Sequence, residues 1–263
     1  MVENFPVIAF IFLIAIAVFA FYFIRSRKKP SQKGEIAIDT ALLGSNVLFY
    51  RKLAQEDKAQ FESDLKYFLS HTKITGVDTN ITVLDRLLIA SAAVIPIFYF
   101  KQWKYHNLQE VLVYSDAMNM EFETTGNADR NILGLVGTGS FEGKLLLSKH
   151  ALQNGFSNTS DKHNTAIHEF VHLLDKSDGD TDGIPHVLMD KQFVLPWLNL
   201  VHDKMEKIAK GKSDINPYAY TSKAEFFAVA AEYFFERPEL LEEKHPVLYK
   251  MLANMFEVES DLK

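Results

Sequence analysis

The most specific chemistry in this sequence lies in His168-Glu169-Phe170-Val171-His172, two imidazoles four residues apart with a carboxylate between them. On a helix that spacing is one turn, so both rings reach a single ion from one face. A zinc ion held by these rings, a third ligand and an open position lowers the pKa of a bound water to about 7. Glu169 is then placed to take the water's proton and pass it on to a leaving amine, while the oxygen attacks a polarised carbonyl. The pattern therefore predicts metal-assisted hydrolysis, with zinc the expected ion. The chain has no cysteine, which excludes disulfides, thiolate metal sites and a cysteine nucleophile and leaves His, Asp and Glu as the metal ligands.

The motif needs a helix, and its surroundings supply one. Asp161 or Asn164 offers a side-chain cap, and Ile167, Val171 and Leu174 form an apolar stripe apart from the histidines. An acidic helix over residues 223–236 is the natural source of the third ligand, through Glu225, Glu232 or Glu236. Glu225 and Glu232 are seven residues apart and share nearly one face, so periodicity does not choose between them. Ser222-Lys223-Ala224-Glu225 also reads as a capping box, which would turn Glu225 back toward its own backbone. Asp175, one turn beyond His172, is placed to orient an imidazole or to end the helix, and Glu232 to do the same or to bridge to the motif helix. The acidic loop at residues 178–183 opens like a calcium loop. Met189 stands where a bidentate glutamate is needed, so Gly179 ending the helix with solvated acids beyond it is the reading taken.

The remaining elements form a core able to hold such a site. Of 263 residues, 48% are hydrophobic and 24% charged, the balance of a folded globular chain. A net charge of -6 gives no basic field for a phosphate backbone, so nucleic acid is not an expected partner. Phe61, Leu65, Phe68 and Leu69 recur at helical spacing within residues 53–69. A second helix is expected to start near Asp78 or Thr79 and to break at Pro96, with the apolar run 87–100 in the core. Residues 111–114, 132–136 and 144–147 read as short strands, and 137–140 as a hairpin turn. Helices, a small sheet, then helices again make one α+β domain.

Residues 5–24 are apolar without a charge, long enough as a helix to span a bilayer core of about 30 Å. Arg25, Arg27, Lys28, Lys29 and Lys33 follow, which places the remainder on the cytoplasmic side. The expectation is a single-pass membrane protein, with residues 1–34 as anchor and basic linker and 35–263 as a cytoplasmic catalytic domain.

Residues 168–175 read HEFVHLLD and 218–238 read YAYTSKAEFFAVAAEYFFERP. Together these resemble the Mlc titration factor A family of bacterial zinc-dependent peptidases, over about residues 47–258. The resemblance implies a zincin-like fold, with His168, His172 and Glu225 as zinc ligands and Glu169 as general base. It also implies a metal-adjacent tyrosine at Tyr218, a donor for the developing oxyanion. A peptide or protein substrate follows, with aminopeptidase-like cutting. A transcriptional regulator as binding partner, with zinc purely structural, is the alternative function. A membrane anchor is a departure from the family.

Overall fold

The computed structural model describes residues 36–100, 103–119 and 132–256. Three helices come first, α1 Thr40–Asn46, α2 Leu48–Lys52 and α3 Gln55–His71. α3 buries Phe61, Leu65 and Phe68, the stripe read from their spacing. After β1 Lys73–Val77 comes α4 Val83–Val94. α4 starts later than the sequence suggested: the Thr82 hydroxyl accepts the Asp85 amide and the Asp85 carboxylate accepts that of Thr82, a complete capping box. Asp78 instead turns the chain out of β1 at φ 52. Pro96 converts the end of α4 into a single 3-10 turn, Ile95–Ile97.

α4 is buried from Leu87 to Val94 and is a core helix of 12 residues, about 18 Å long and too short for a bilayer core. Among the described residues no helix is long and apolar enough to cross a membrane. This corrects the single-pass membrane localisation expected above. Residues 5–24, on which that expectation rested, and the expected boundary at residue 34 lie outside the described residues.

The sheet is completed by β2 Glu110–Tyr114, β3 Gly134–Val136 and β4 Lys144–Ser148. Its order is β1-β2-β4-β3, with β1, β2 and β4 parallel and β3 antiparallel to β4. The parallel β1–β2 pair requires a crossover, which α4 provides. β3 is shorter than its apolar run, because Ile132 makes only an isolated bridge to Met118. β1 had no strand signal in the sequence. Its residues, KITGV, bury only Ile74 fully and gain their strand conformation by pairing with β2.

Six further helices follow, α5 Lys149–Ser157, α6 Thr165–Asp175, α7 Lys191–Ala209, α8 Lys223–Glu236, α9 Pro238–Lys244 and α10 Pro246–Phe256. All these elements fall in one compact unit, residues 37–263. The fold is α+β, mostly helical with a small mixed sheet. Val111, Val113, Leu145 and Leu147 on one face of the sheet join the main core with α6 and α8. Tyr114 and Leu146 on the other face form a separate small cluster with Met118. α8 is apolar nearly all round, burying Phe226, Phe227, Val229 and Phe234 among others, and so runs through the centre of the core. It packs against α6 along most of its length, and that pairing builds the site.

Candidate metal centre

α6 begins where Asn164 accepts the Ile167 amide, so of the two expected caps it is Asn164 that acts. Ile167, Val171 and Leu174 are buried against the core as their spacing required. His168 and His172 therefore share the face turned toward α8, with their Nε2 atoms 3.0 Å apart. Glu225, in the first turn of α8, brings Oε2 to 2.9 Å from His168 Nε2 and 3.4 Å from His172 Nε2. Ser222 caps α8 by accepting the Glu225 amide, while the Glu225 carboxylate turns to the imidazoles.

Three atoms bound at about 2.0–2.1 Å to a tetrahedral ion lie about 3.3 Å from one another. The observed triangle of 2.9, 3.0 and 3.4 Å needs only small adjustments to hold such an ion. Among the described residues, His168, His172 and Glu225 are the group of acidic and imidazole side chains close enough to share a metal. The acidic loop after α6 supplies no such group. Gly179, at φ 110, ends the 3-10 turn Lys176–Asp178 there.

Glu232 occupies one nitrogen of His168 and leaves the other to the group it shares with His172 and Glu225. Its Oε1 lies 2.7 Å from His168 Nδ1, and a carboxylate only accepts, so Nδ1 carries a proton and Nε2 faces the metal position. The other oxygen of Glu232 accepts from the Asn164 amide at 2.6 Å and from His163 Nδ1 at 2.9 Å. Glu232 thus does both things the sequence left open, orienting an imidazole and bridging to the motif helix. Asp175, the other residue expected to orient an imidazole or end the helix, makes no hydrogen bond to either histidine. Its Oδ2 accepts the Gly183 amide at 2.9 Å, while its Oδ1 and His172 Nδ1 are both buried with no hydrogen-bond partner.

Electrostatics follow from this packing. Burial alone would lower the His168 pKa, but Glu225 and Glu232, one at each ring nitrogen, raise it well above 6.5. Burial would raise Glu225, but His168 and His172 hold it well below the usual carboxylate range. Among the described residues, no cation is hydrogen-bonded to Glu169. Its buried carboxyl is pushed up by desolvation, with the two histidines opposing.

Tyr218 lies in a 3-10 turn, Pro217–Tyr220, with its ring centroid 6.1 Å from that of His168 and half its surface exposed. Burial and then the Glu225 and Glu169 carboxylates raise its hydroxyl above 10.0. One residue of the site went unread in the sequence. Gly134 in β3 lies against Glu169 so that a Cβ there would stand 2.5 Å from Glu169 Cγ. A lone glycine inside an apolar strand run is the signal that would have found it, because it marks close approach of another group.

Residues 24–257 match the family model described as glucose-regulated metallo-peptidase M90. The chain belongs to that family. Membership carries a metal ion with it, and the His168, His172 and Glu225 triangle is where the M90 chain has a fitting donor set. Among relatives, the Synechocystis protein slr2042 is 27% identical over 226 residues, 82% of each chain. Mlc titration factor A of Pectobacterium atrosepticum is 32% identical over 163 residues, 56% of this chain and 58% of the relative. The Yersinia enterocolitica protein of the same name is 23% identical over 228 residues, 80% and 82% of the two chains. The resemblance drawn from the two motif blocks is therefore upheld over most of the chain.

Proposed function

We propose that this chain is a zinc-dependent peptidase of zincin type, with His168, His172 and Glu225 holding the ion and Glu169 acting as general base. The observation that carries the reading is the pairing of a tetrahedral-sized donor triangle with the buried Glu169 carboxylate beside it. A purely structural site has no use for such a base. When bound, zinc supplies a Lewis acid for the substrate carbonyl and an acidified water. Glu169 accepts the proton from the attacking water and delivers it to the leaving amine. Tyr218, half exposed beside His168, donates its hydroxyl to the oxygen on which charge develops. Glu232 keeps His168 in the tautomer that leaves Nε2 free. The substrate is a peptide or protein, and aminopeptidase-like cutting is part of the proposal.

The test is metal content and peptide hydrolysis on the full chain. The parent should hold about one zinc, Glu169→Gln should keep it and lose hydrolysis, and Glu225→Gln should lose the metal. A parent without metal, or a Glu169→Gln protein as active as the parent, would end the peptidase reading.

The names of the relatives favour a second reading, capture of a transcriptional regulator of the Mlc kind. A Glu169→Gln protein that binds zinc and retains all of its effect on such a regulator supports that role over peptide hydrolysis.

A further inference from the structure

Asp214 lies in the chain between α7 and α8 and gathers donors from three parts of the fold. Its Oδ1 accepts from His245 Nε2 at 2.8 Å. Its Oδ2 accepts from the Tyr233 hydroxyl at 2.9 Å, Lys244 Nζ at 3.1 Å and Lys162 Nζ at 3.3 Å. Behind His245, the buried Lys204 donates to Nδ1 at 3.0 Å. Burial would raise the Asp214 carboxyl, but these donors hold it far below its ordinary value. It therefore stays charged and paired across the working pH range.

Two of the chain segments tied together here are those that frame the candidate site. Lys162 also donates to the Asp214 carbonyl oxygen at 2.6 Å and lies 4.6 Å over the Tyr233 ring. Lys162 has φ 65, a left-handed backbone that a lysine adopts only when its surroundings enforce it. Two residues later Asn164 caps the helix of His168 and His172. On the other side of the clamp, Ile215 is buried, and the Asn216 side chain accepts the Tyr218 amide at 3.0 Å to start the turn that presents Tyr218. The Tyr218 side chain is half exposed. The turn that carries it is anchored four residues earlier at Asp214.

We propose that Asp214 and Lys162 form a clamp that fixes the Tyr218 turn relative to the motif helix, making both of them positioning residues for Tyr218. That they serve the reaction rests on the peptidase reading; that they hold the turn does not. The clamp links the chain entering α6 to the segment just before the Tyr218 turn. Loss of the Lys162 ammonium removes the tie to the entry of α6, leaving His245, Tyr233 and Lys244 on Asp214 and the three metal-binding side chains on their helices.

The test places 3-fluorotyrosine at position 218 of the full chain and compares the parent with Asp214→Asn, Lys162→Asn and Lys162→Arg. Asparagine tolerates the left-handed backbone at 162, so Lys162→Asn removes the ammonium without forcing a new conformation. Expected are a shifted or broadened fluorine resonance in Asp214→Asn and Lys162→Asn, recovery in Lys162→Arg, and unchanged zinc content. Peptide hydrolysis should lose about ten- to hundredfold in kcat with little change in KM, a loss that does not add to that of Tyr218→Phe. A fluorine resonance identical to the parent's in Lys162→Asn overturns the clamp, and this variant decides alone if Asp214→Asn does not fold. If Tyr218→Phe hydrolyses like the parent, the role given to Tyr218 fails, and the fluorine spectrum still decides whether the clamp holds the turn.

Discussion

Gly134 and Glu169 are packed so closely that a methyl group at 134 would stand 2.5 Å from Glu169 Cγ and 2.6 Å from its Oε1. The strand backbone thus forms one wall for the proposed general base. Glu169 is itself buried. Gly134→Ala should displace its carboxylate while leaving His168, His172 and Glu225 in place. The expected outcome is retained zinc with hydrolysis lowered about tenfold to a hundredfold, read by metal analysis beside steady-state kinetics. Loss of zinc with the activity would show that the strand supports the ligands instead.

Glu232→Gln should weaken metal binding. The glutamine carbonyl can still accept the Asn164 amide, but its NH2 then faces His168 Nδ1, which must become an acceptor and send its proton to Nε2. A protonated Nε2 cannot ligate. Competition titration against a chromogenic chelator should show about ten- to hundredfold lower affinity. An affinity equal to the parent's would remove Glu232 from any role in orienting His168.

Glu236 gives a pH signature. It accepts the His163 amide at 2.9 Å, yet burial and then the charges of Asp161 and Glu232 push its carboxyl up to about 8. A folded pKa above the unfolded value means that the neutral form is favoured by folding. Its contribution is complete below about pH 4.5 and is lost as pH rises through about 8, by up to about 1.4 kcal/mol per unit. Glu236→Gln keeps an acceptor and removes the titration. Melting temperature should therefore fall less between pH 5 and 9 in this variant than in the parent, on the order of ten degrees' difference; parallel curves would refute the assignment.

Asp85 anchors the core helix α4. It is fully buried and accepts from the Thr82 amide and hydroxyl, both at 2.8 Å, from Gln153 at 2.7 Å and from Lys149 at 3.0 Å. Burial opposes its ionisation, but these donors win and hold it below its ordinary 3.8. Asp85→Ala leaves them unpaired and should cost about 3 kcal/mol in urea unfolding. A cost under about 0.5 kcal/mol would show that water replaces the carboxylate.

Relations inside one helix were legible from the sequence alone, because helical geometry fixes them. The four-residue spacing put His168 and His172 on one face, Asn164 was within capping distance, and Ile167, Val171 and Leu174 marked the buried side. Residues 87–100 read as core for a similar reason, since a short run with Asp85 and Arg86 before it suits a buried helix. Relations between elements were not legible. Glu225 and Glu232 share a face of α8, and only the packing of α8 on α6 brings one carboxylate to Nε2 of His168 and the other to Nδ1. Gly134 acquires its meaning from a side chain 35 residues away, β1 exists by pairing with β2, and Asp214 is ordered by donors from elements on both sides of it in the chain. Side-chain type and local spacing determined which groups of this protein can do chemistry. Tertiary packing, which sets distances of 3 Å between residues tens of positions apart, decided which of them meet.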